Sequence, residues 1–230
     1  MAKIVWDDIS EKLYETGADR AVLYLPDSNN EYTSGYGWNG LTGVDESPSG
    51  AEATSLWADN SKYINLYSAE EFGMTIKAYT YPDEFEQCDG SAELTDGIFV
   101  GQQTRKPFGF TYRTLVGNDT QGTEYGYKIH LVYGCTASPS AKSRATVNDS
   151  PSAVEFSWEI KTTPVPVTGH KATAHLVIDT TKLTTEAAAK VAAFEDVLYG
   201  TDAGVGTTAT DPKLPLPAEV LAFFSDSPSI

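Results

Sequence analysis

The sequence predicts a mainly β fold with one flanking α-helix and long hairpins. Residues 72–81, 108–116, 125–133 and 154–160 alternate along the chain with a period of two. That is the pattern of strands with one buried face. Clusters of Gly, Pro, Asn, Asp and Ser separate the strand-like runs, each of these residue types having its own reason to bend a chain. Helical spacing of apolar residues is convincing only at about residues 185–199.

Taken in order, residues 6–17 fit either a short helix or an edge strand. Residues 21–25 form a short apolar strand, closed by Pro26-Asp27-Ser28-Asn29-Asn30, and residues 31–38 resume as a strand. Residues 39–54 are Gly, Ser, Pro and acid with few apolar side chains. A loop of that length inside a compact domain is uncommon and is usually functional or disordered. Two strand-like runs follow, 62–67 and 72–81, separated only by Ser68-Ala69-Glu70-Glu71. In the second, Met74, Ile76 and Ala78 alternate with Thr75, Lys77 and Tyr79. The two runs read as a long central hairpin, stopped by Pro82, which cannot donate to a ladder. A solvated acidic turn at Asp83-Glu84-Phe85-Glu86 comes next.

Residues 97–101 read as a strand, and residues 108–116 and 125–133 as a second hairpin around the turn Gly117-Asn118-Asp119-Thr120-Gln121-Gly122. On its returning strand Tyr125, Tyr127, Ile129, Leu131 and Tyr133 share one face, Lys128 and His130 the other. Residues 137–149 are polar and loop-like. In 154–160, Val154, Phe156, Trp158 and Ile160 point inward, and 173–179 is a further strand after a turn at 164–169. The helix has Thr184 as N-cap, Glu186 in its first turn and Gly200 beyond its end. Ala187, Val191, Phe194 and Leu198 give it one narrow apolar stripe, suited to packing on a sheet. Residues 1–200 form the β domain; 201–230 are a looser extension with a short helix expected at 217–224. Its Val220, Leu221, Phe223 and Phe224 need cover from their own or a neighbouring subunit.

The 230 residues carry a formal charge of −16. Residues 1–100 hold 19 acids against 5 bases, net −14; residues 101–230 hold 13 against 11, net −2. Such a balance argues against a nucleic-acid-binding surface, which needs Lys and Arg to neutralise phosphate. It suits either simple solubility or a surface that repels something anionic. No run approaches the ~18 apolar residues of a membrane helix, and no signal-like segment opens the chain, so folding in a reducing cytosol is expected. Cys88 and Cys135 do not make a disulfide scaffold.

Catalytic and metal chemistry find no foothold in the spacing. His170 and His175 are not spaced as closed zinc ligands, and neither cysteine has a CxxC partner. Asp83, Glu84, Glu86 and Asp89 miss the calcium-loop pattern. Glu155 and Glu159 flank Trp158 as paired carboxylates would in a glycosidase, but on a strand they stand about 13 Å apart, too far for that chemistry. Phosphate loops, dinucleotide fingerprints and nucleophile elbows are missing. The sequence therefore predicts a protein without catalytic residues, metal or cofactor.

Two long phrases, ADNSKYINLYSAEEFG (residues 58–73) and TIKAYTYPDEF (residues 75–85), resemble the major tail tube protein of long-tailed bacteriophages. Shorter phrases agree in the same order: Tyr14-Glu15-Thr16-Gly17, Trp38-Asn39-Gly40-Leu41-Thr42, Glu46-Ser47-Pro48-Ser49-Gly50-Ala51-Glu52, Gly101-Gln102-Gln103, Asn148-Asp149-Ser150-Pro151 and Thr168-Gly169-His170-Lys171. The likeness spreads over residues 6–200 rather than one motif.

The resemblance implies a tail-tube-type β-sandwich or barrel with a flanking helix. It also implies hexameric rings, each joined into a continuous inner barrel and stacked into a hollow tube. Such a protein is a structural virion component, assembled in the host cytoplasm. It would meet a tape measure protein, a tail terminator and passing DNA, without sequence-specific binding and without a membrane. An acidic bore would keep phosphate from sticking; six chains would bring about −96 before counterions. By the same analogy Asn39, Thr42, Asp45, Glu46, Ser47, Pro48, Ser49, Gly50, Ala51 and Glu52 belong to an inter-subunit loop. The inner barrel would draw on the hairpin at 108–133 and on a central hairpin bearing Tyr63, Asn65, Tyr67, Glu70, Glu71, Thr75, Lys77 and Tyr79. The alternative from a different class is a β-rich receptor- or carbohydrate-binding module of the phage tail, which would stay monomeric and respond to glycans.

Overall fold

The computed structural model describes residues 4–146, 149, 153–204 and 208–225. Asn148, Ser150 and Pro151 of the phage-like phrases lie outside them, as do residues 147 and 226–230 of the expected loop and tail.

Strand β1 (Tyr14–Pro26) is much longer than its apolar part because Gly17 and Arg20, at φ 67° and 49°, bulge the chain and interrupt the alternation. The Asp27 carboxylate accepts the backbone N–H groups of Asn29 and Glu31 at 2.8 and 3.0 Å, turning the chain into β2 (Tyr32–Gly37).

The stretch 39–54, expected to be a loop, is mostly strand. It holds β3 (Leu41–Glu46), β4 (Ser49–Gly50) and the start of β5 (Ala53–Ala58). The pairing of the following strands also differs from the expected central hairpin. Strand β6 (Ser61–Tyr67) returns onto β5 through Asp59-Asn60, both at positive φ, and β7 (Glu70–Glu71) pairs with β4. Strand β8 (Gly73–Ala78) does not pair with β6; it lies between β3 and a later strand. Ser68-Ala69-Glu70-Glu71 is therefore not a hairpin turn. The strands at 41–58 are hard to see in sequence because most of their residues are exposed, so no hydrophobic alternation marks them.

The acidic corner is a helical plug, not a solvated turn. A 3₁₀ turn (Asp83–Phe85) runs into α1 (Glu86–Asp89), ended by Gly90 at φ 82°. Phe85 and Cys88 are fully buried. Asp89 is buried too, against Arg105 at 3.2 Å and Lys142 at 2.5 Å. Strands β9 (Ala92–Thr95) and β10 (Ile98–Val100) make a small separate hairpin.

The hairpin expected at 108–133 is present as β11 (Phe108–Asn118) and β12 (Gly122–Ala137). Strands β13 (Phe156–Thr162) and β14 (His175–Asp179) follow. The predicted helix spans its expected residues in two pieces, α2 (Thr185–Ala189) and α3 (Val191–Tyr199), and α4 (Pro217–Phe224) matches its expectation. The Thr184 hydroxyl accepts the Ala187 N–H at 3.3 Å, as an N-cap should.

The main sheet runs β2-β1-β11-β12-β13-β8-β3, with β14 also on β12. The fold is thus mainly β, built on one large antiparallel sheet. Strand β12 forks: Lys128–Val132 pair with β14, Cys135–Ala137 with β13. The fork falls at Gly134, whose φ is 59° and where a Cβ would meet the Thr163 carbonyl at 2.3 Å. Each face of the sheet carries a core. One gathers Leu23, Ile76, Phe108, Phe110, Val132 and Trp158 around the α1 plug; the other packs Tyr24, Ile129, Leu131 and Tyr133 under α3 and α4. Tyr24 and Tyr133 each donate a buried hydrogen bond to a carbonyl, of Leu198 and Pro215, at 2.7 and 2.9 Å. Burying side chains of this size is worth about 2–3 kcal/mol each, so these cores, not the exposed ribbon at 49–71, hold the molecule together.

Candidate functional site

Residues 49–71 form one arm. Its ladders β4/β7 and β5/β6 pair only with each other. A two-stranded ribbon is marginal on its own. Along β5/β6, Leu56 lies opposite Ile64 and Thr54 opposite Leu66. Leu56, Ile64 and Leu66 therefore make one aliphatic face, 44–52% exposed. The opposite face carries Trp57 and Tyr67, 69% and 68% exposed. Such a concentration of uncovered apolar surface makes the arm the candidate contact surface. A second exposed apolar group, Ile4, Val5, Trp6, Ile9 and Leu13, precedes β1.

The structure divides both residue sets singled out in the sequence. Of the expected loop, Asn39 lies between β2 and β3, while Thr42, Asp45 and Glu46 belong to β3 in the main sheet. Thr42 donates to the Glu155 carboxylate at 2.5 Å, and Asp45 pairs with Lys77 at 2.7 Å. Only Ser49, Gly50, Ala51 and Glu52 lie in the arm, with Ser47 and Pro48 leading into it from β3. Of the expected hairpin, Tyr63, Asn65, Tyr67, Glu70 and Glu71 are arm residues on its return path. Thr75 and Lys77 lie on β8, flanked on both sides by β3 and β13, and Tyr79 just follows it. A central hairpin with these residues on one wall does not exist; the arm replaces it.

Sequence reasoning missed what sits at the root of the arm. Glu46 leads into the arm and Phe72 leaves it, and both reach the same pair of imidazoles. Phe72 stacks on His175 with ring centroids 4.4 Å apart and planes 27° apart. His175 Nε2 lies 3.1 Å from His130 Nδ1, and Glu46 Oε1 lies 3.5 Å from that same nitrogen. Tyr112, opposite His130 in the ladder, stacks on it at 4.4 Å and donates its hydroxyl to Glu46 Oε1 at 2.6 Å. On the far side of His130, Nε2 lies 3.0 Å from the Thr114 hydroxyl, which itself donates to Glu15 at 2.6 Å. Glu15 also pairs with Lys128.

Environment fixes the protonation here. Burial, then the neighbouring His175, pulls His130 down to about 4, and burial likewise lowers His175. Both imidazoles are neutral at pH 7. Burial and the Glu46 hydrogen bond raise the Tyr112 phenol. Burial would raise Glu15, but hydrogen bonds from Lys128 and Thr114 outweigh it and hold Glu15 below its usual value. The sequence carries no local signal for this cluster, because His130 shares a strand face with Lys128 and is buried only in the fold. The cluster becomes visible only with the register that brings β14 beside β12.

Comparison with protein-family models gives no match to this chain, and comparison with curated proteins gives none. Among the described residues, no helix is long and apolar enough to cross a membrane.

Proposed function

We propose that the chain is a non-catalytic structural subunit that joins copies of itself into six-membered rings, stacked into the hollow tail tube of a long-tailed bacteriophage. The observation that carries this reading is the arm: a self-paired ribbon with an aliphatic face that its own domain leaves uncovered. The phage-like phrases run through the same residues, 58–73. The arm lies against the next copy, within a ring or in the ring above, and buries Leu56, Ile64 and Leu66. The formal charge of −16 suits a conduit for DNA, since like charge prevents adhesion. A tape measure protein, a tail terminator and DNA in transit are the other partners of this role, which belongs to the virion.

Sedimentation and negative-stain microscopy test it directly. Concentrated protein should give rings or striated tubes, and a variant with residues 49–71 replaced by a short Gly-Ser turn should stay a folded monomer. Assembly by that variant would sink the role given to the arm. A wild-type chain that stays monomeric and binds glycans instead would overturn the tube.

A further inference from the structure

We propose that Glu46, His130 and His175 bind a divalent transition-metal ion of the zinc class at the root of the arm. The donor atoms, one carboxylate oxygen and two ring nitrogens, all lie within 4.8 Å of one another. Two of the separations are 3.1 and 3.5 Å. Ligands about 2.0–2.1 Å from a tetrahedral zinc stand roughly 3.4 Å apart, so two of the three separations already match the edges of such a site and the third lies within 4.8 Å.

The hydrogen-bond pattern leaves those corners as lone pairs. The Thr114 hydroxyl has one proton and gives it to Glu15, so the proton between Thr114 and His130 belongs to Nε2 of His130. That sets the tautomer and turns the Nδ1 lone pair toward Glu46 and His175. Glu46 Oε1 already accepts from Tyr112, so it and His130 Nδ1 are two acceptors facing each other at 3.5 Å. Without an ion, the proton on His175 Nε2 is the one that lies between the two rings.

The two rings are 12° from parallel with centroids 5.3 Å apart, so they meet edge to edge almost in line across that proton. An ion takes the proton's place: the His175 proton moves to Nδ1, each ring turns by roughly 35° to open a tetrahedral angle, and three lone pairs converge. Net charge on the protein ligands is unchanged. The fourth position opens beside Glu46, whose side chain is 39% exposed. Outer partners are in place as metal sites require, Thr114 behind His130 and Tyr112 behind Glu46. Two nitrogens and one carboxylate select zinc, cobalt, nickel or copper over calcium or magnesium, which want six or more oxygens. The ion would tie β3, β12 and β14 together beneath the arm, whatever the arm contacts.

The test uses the full chain, stripped with EDTA and titrated with Zn²⁺ by calorimetry and with Co²⁺ by visible absorption. One ion per chain and a tetrahedral Co²⁺ spectrum are expected. His175→Gln should weaken binding at least about 100-fold and Glu46→Gln at least about tenfold, while His170→Gln keeps wild-type affinity. Melting curves in EDTA check that the variants fold. If His175→Gln does not, Glu46→Gln, on the exposed side, decides alone. Absence of stoichiometric binding, or binding that survives Glu46→Gln unchanged, overturns the site.

Discussion

Tyr112 on β11 and Glu46 at the end of β3 share a 2.6 Å hydrogen bond, joining the middle of the sheet to the residue that opens the arm. Tyr112→Phe keeps the ring stacked on His130 and removes only that bond. The expected cost is about 1–2 kcal/mol, since the acceptor is a carboxylate. Hydrogen exchange should show the loss locally: the Ser47 N–H, bonded to the Gly73 carbonyl at 2.8 Å, should exchange faster while amides of β12 keep their protection.

Acid should weaken the fold through the histidines. The unfolded chain takes up a proton on His130 near pH 6.5, whereas the folded chain resists until about 4. Between those values the unfolded state binds more protons, so stability rises with pH across this window and is lost as pH falls through it. The full effect is on the order of 3 kcal/mol for His130. Urea midpoints in EDTA at pH 4.5 and pH 7 measure it, and His130→Gln should flatten the difference.

Gly134→Ala should be among the most damaging single changes in the chain. The new Cβ would sit 2.3 Å from a backbone carbonyl at a φ of 59°, so steric clash and backbone strain add. A loss of roughly 3 kcal/mol or more is expected, read as a lowered urea midpoint with an unchanged m-value.

Leu56→Asp separates folding from assembly. The side chain belongs to neither core, so melting of the monomer should shift within about 0.5 kcal/mol. Assembly should fail, because the new carboxylate would have to be buried against the next copy. Sedimentation of wild type and variant at equal concentration reads the difference.

Assembly should also respond to salt. Chains of charge −16 repel one another, and raising ionic strength from about 0.01 to 0.15 M shortens the Debye length from roughly 30 to 8 Å. Tubes should therefore form at lower protein concentration in the higher salt, as light scattering would follow; the opposite trend would mean that attraction between opposite charges holds the copies together.

The parts of the fold that were legible in sequence are those with a dry side. The β11/β12 hairpin announced itself through Phe108, Phe110, Ile129 and Leu131, all fully buried, and the two-piece helix through Ala187, Val191, Phe194 and Leu198. The arm is hard to read in the sequence for the opposite reason. Leu56, Ile64 and Leu66 face solvent in the isolated chain, and Asp59, Asn60, Ser61, Lys62 and Asn65 intervene, so local pattern marks no register. The sequence shows only residues 21–25 of strand β1 because bulges at Gly17 and Arg20 break its period. The imidazole pair was out of reach for another reason. His130 and His175 are 45 residues apart, and nothing local to either one says that β14 docks on the first half of a forked β12.

The two ends of the arm do not leave the body at independent hinges. Glu46 and Phe72 close on one pair of rings, so the ribbon is a lever with a single fulcrum. Torque applied at Asp59-Asn60 is delivered to the seam between β12 and β14, whose Ile129, Leu131 and Ile178 belong to one hydrophobic interior while Phe72 and Tyr112 belong to the other. A neighbour that grips the tip can therefore feel, and set, the stiffness of the joint at the base.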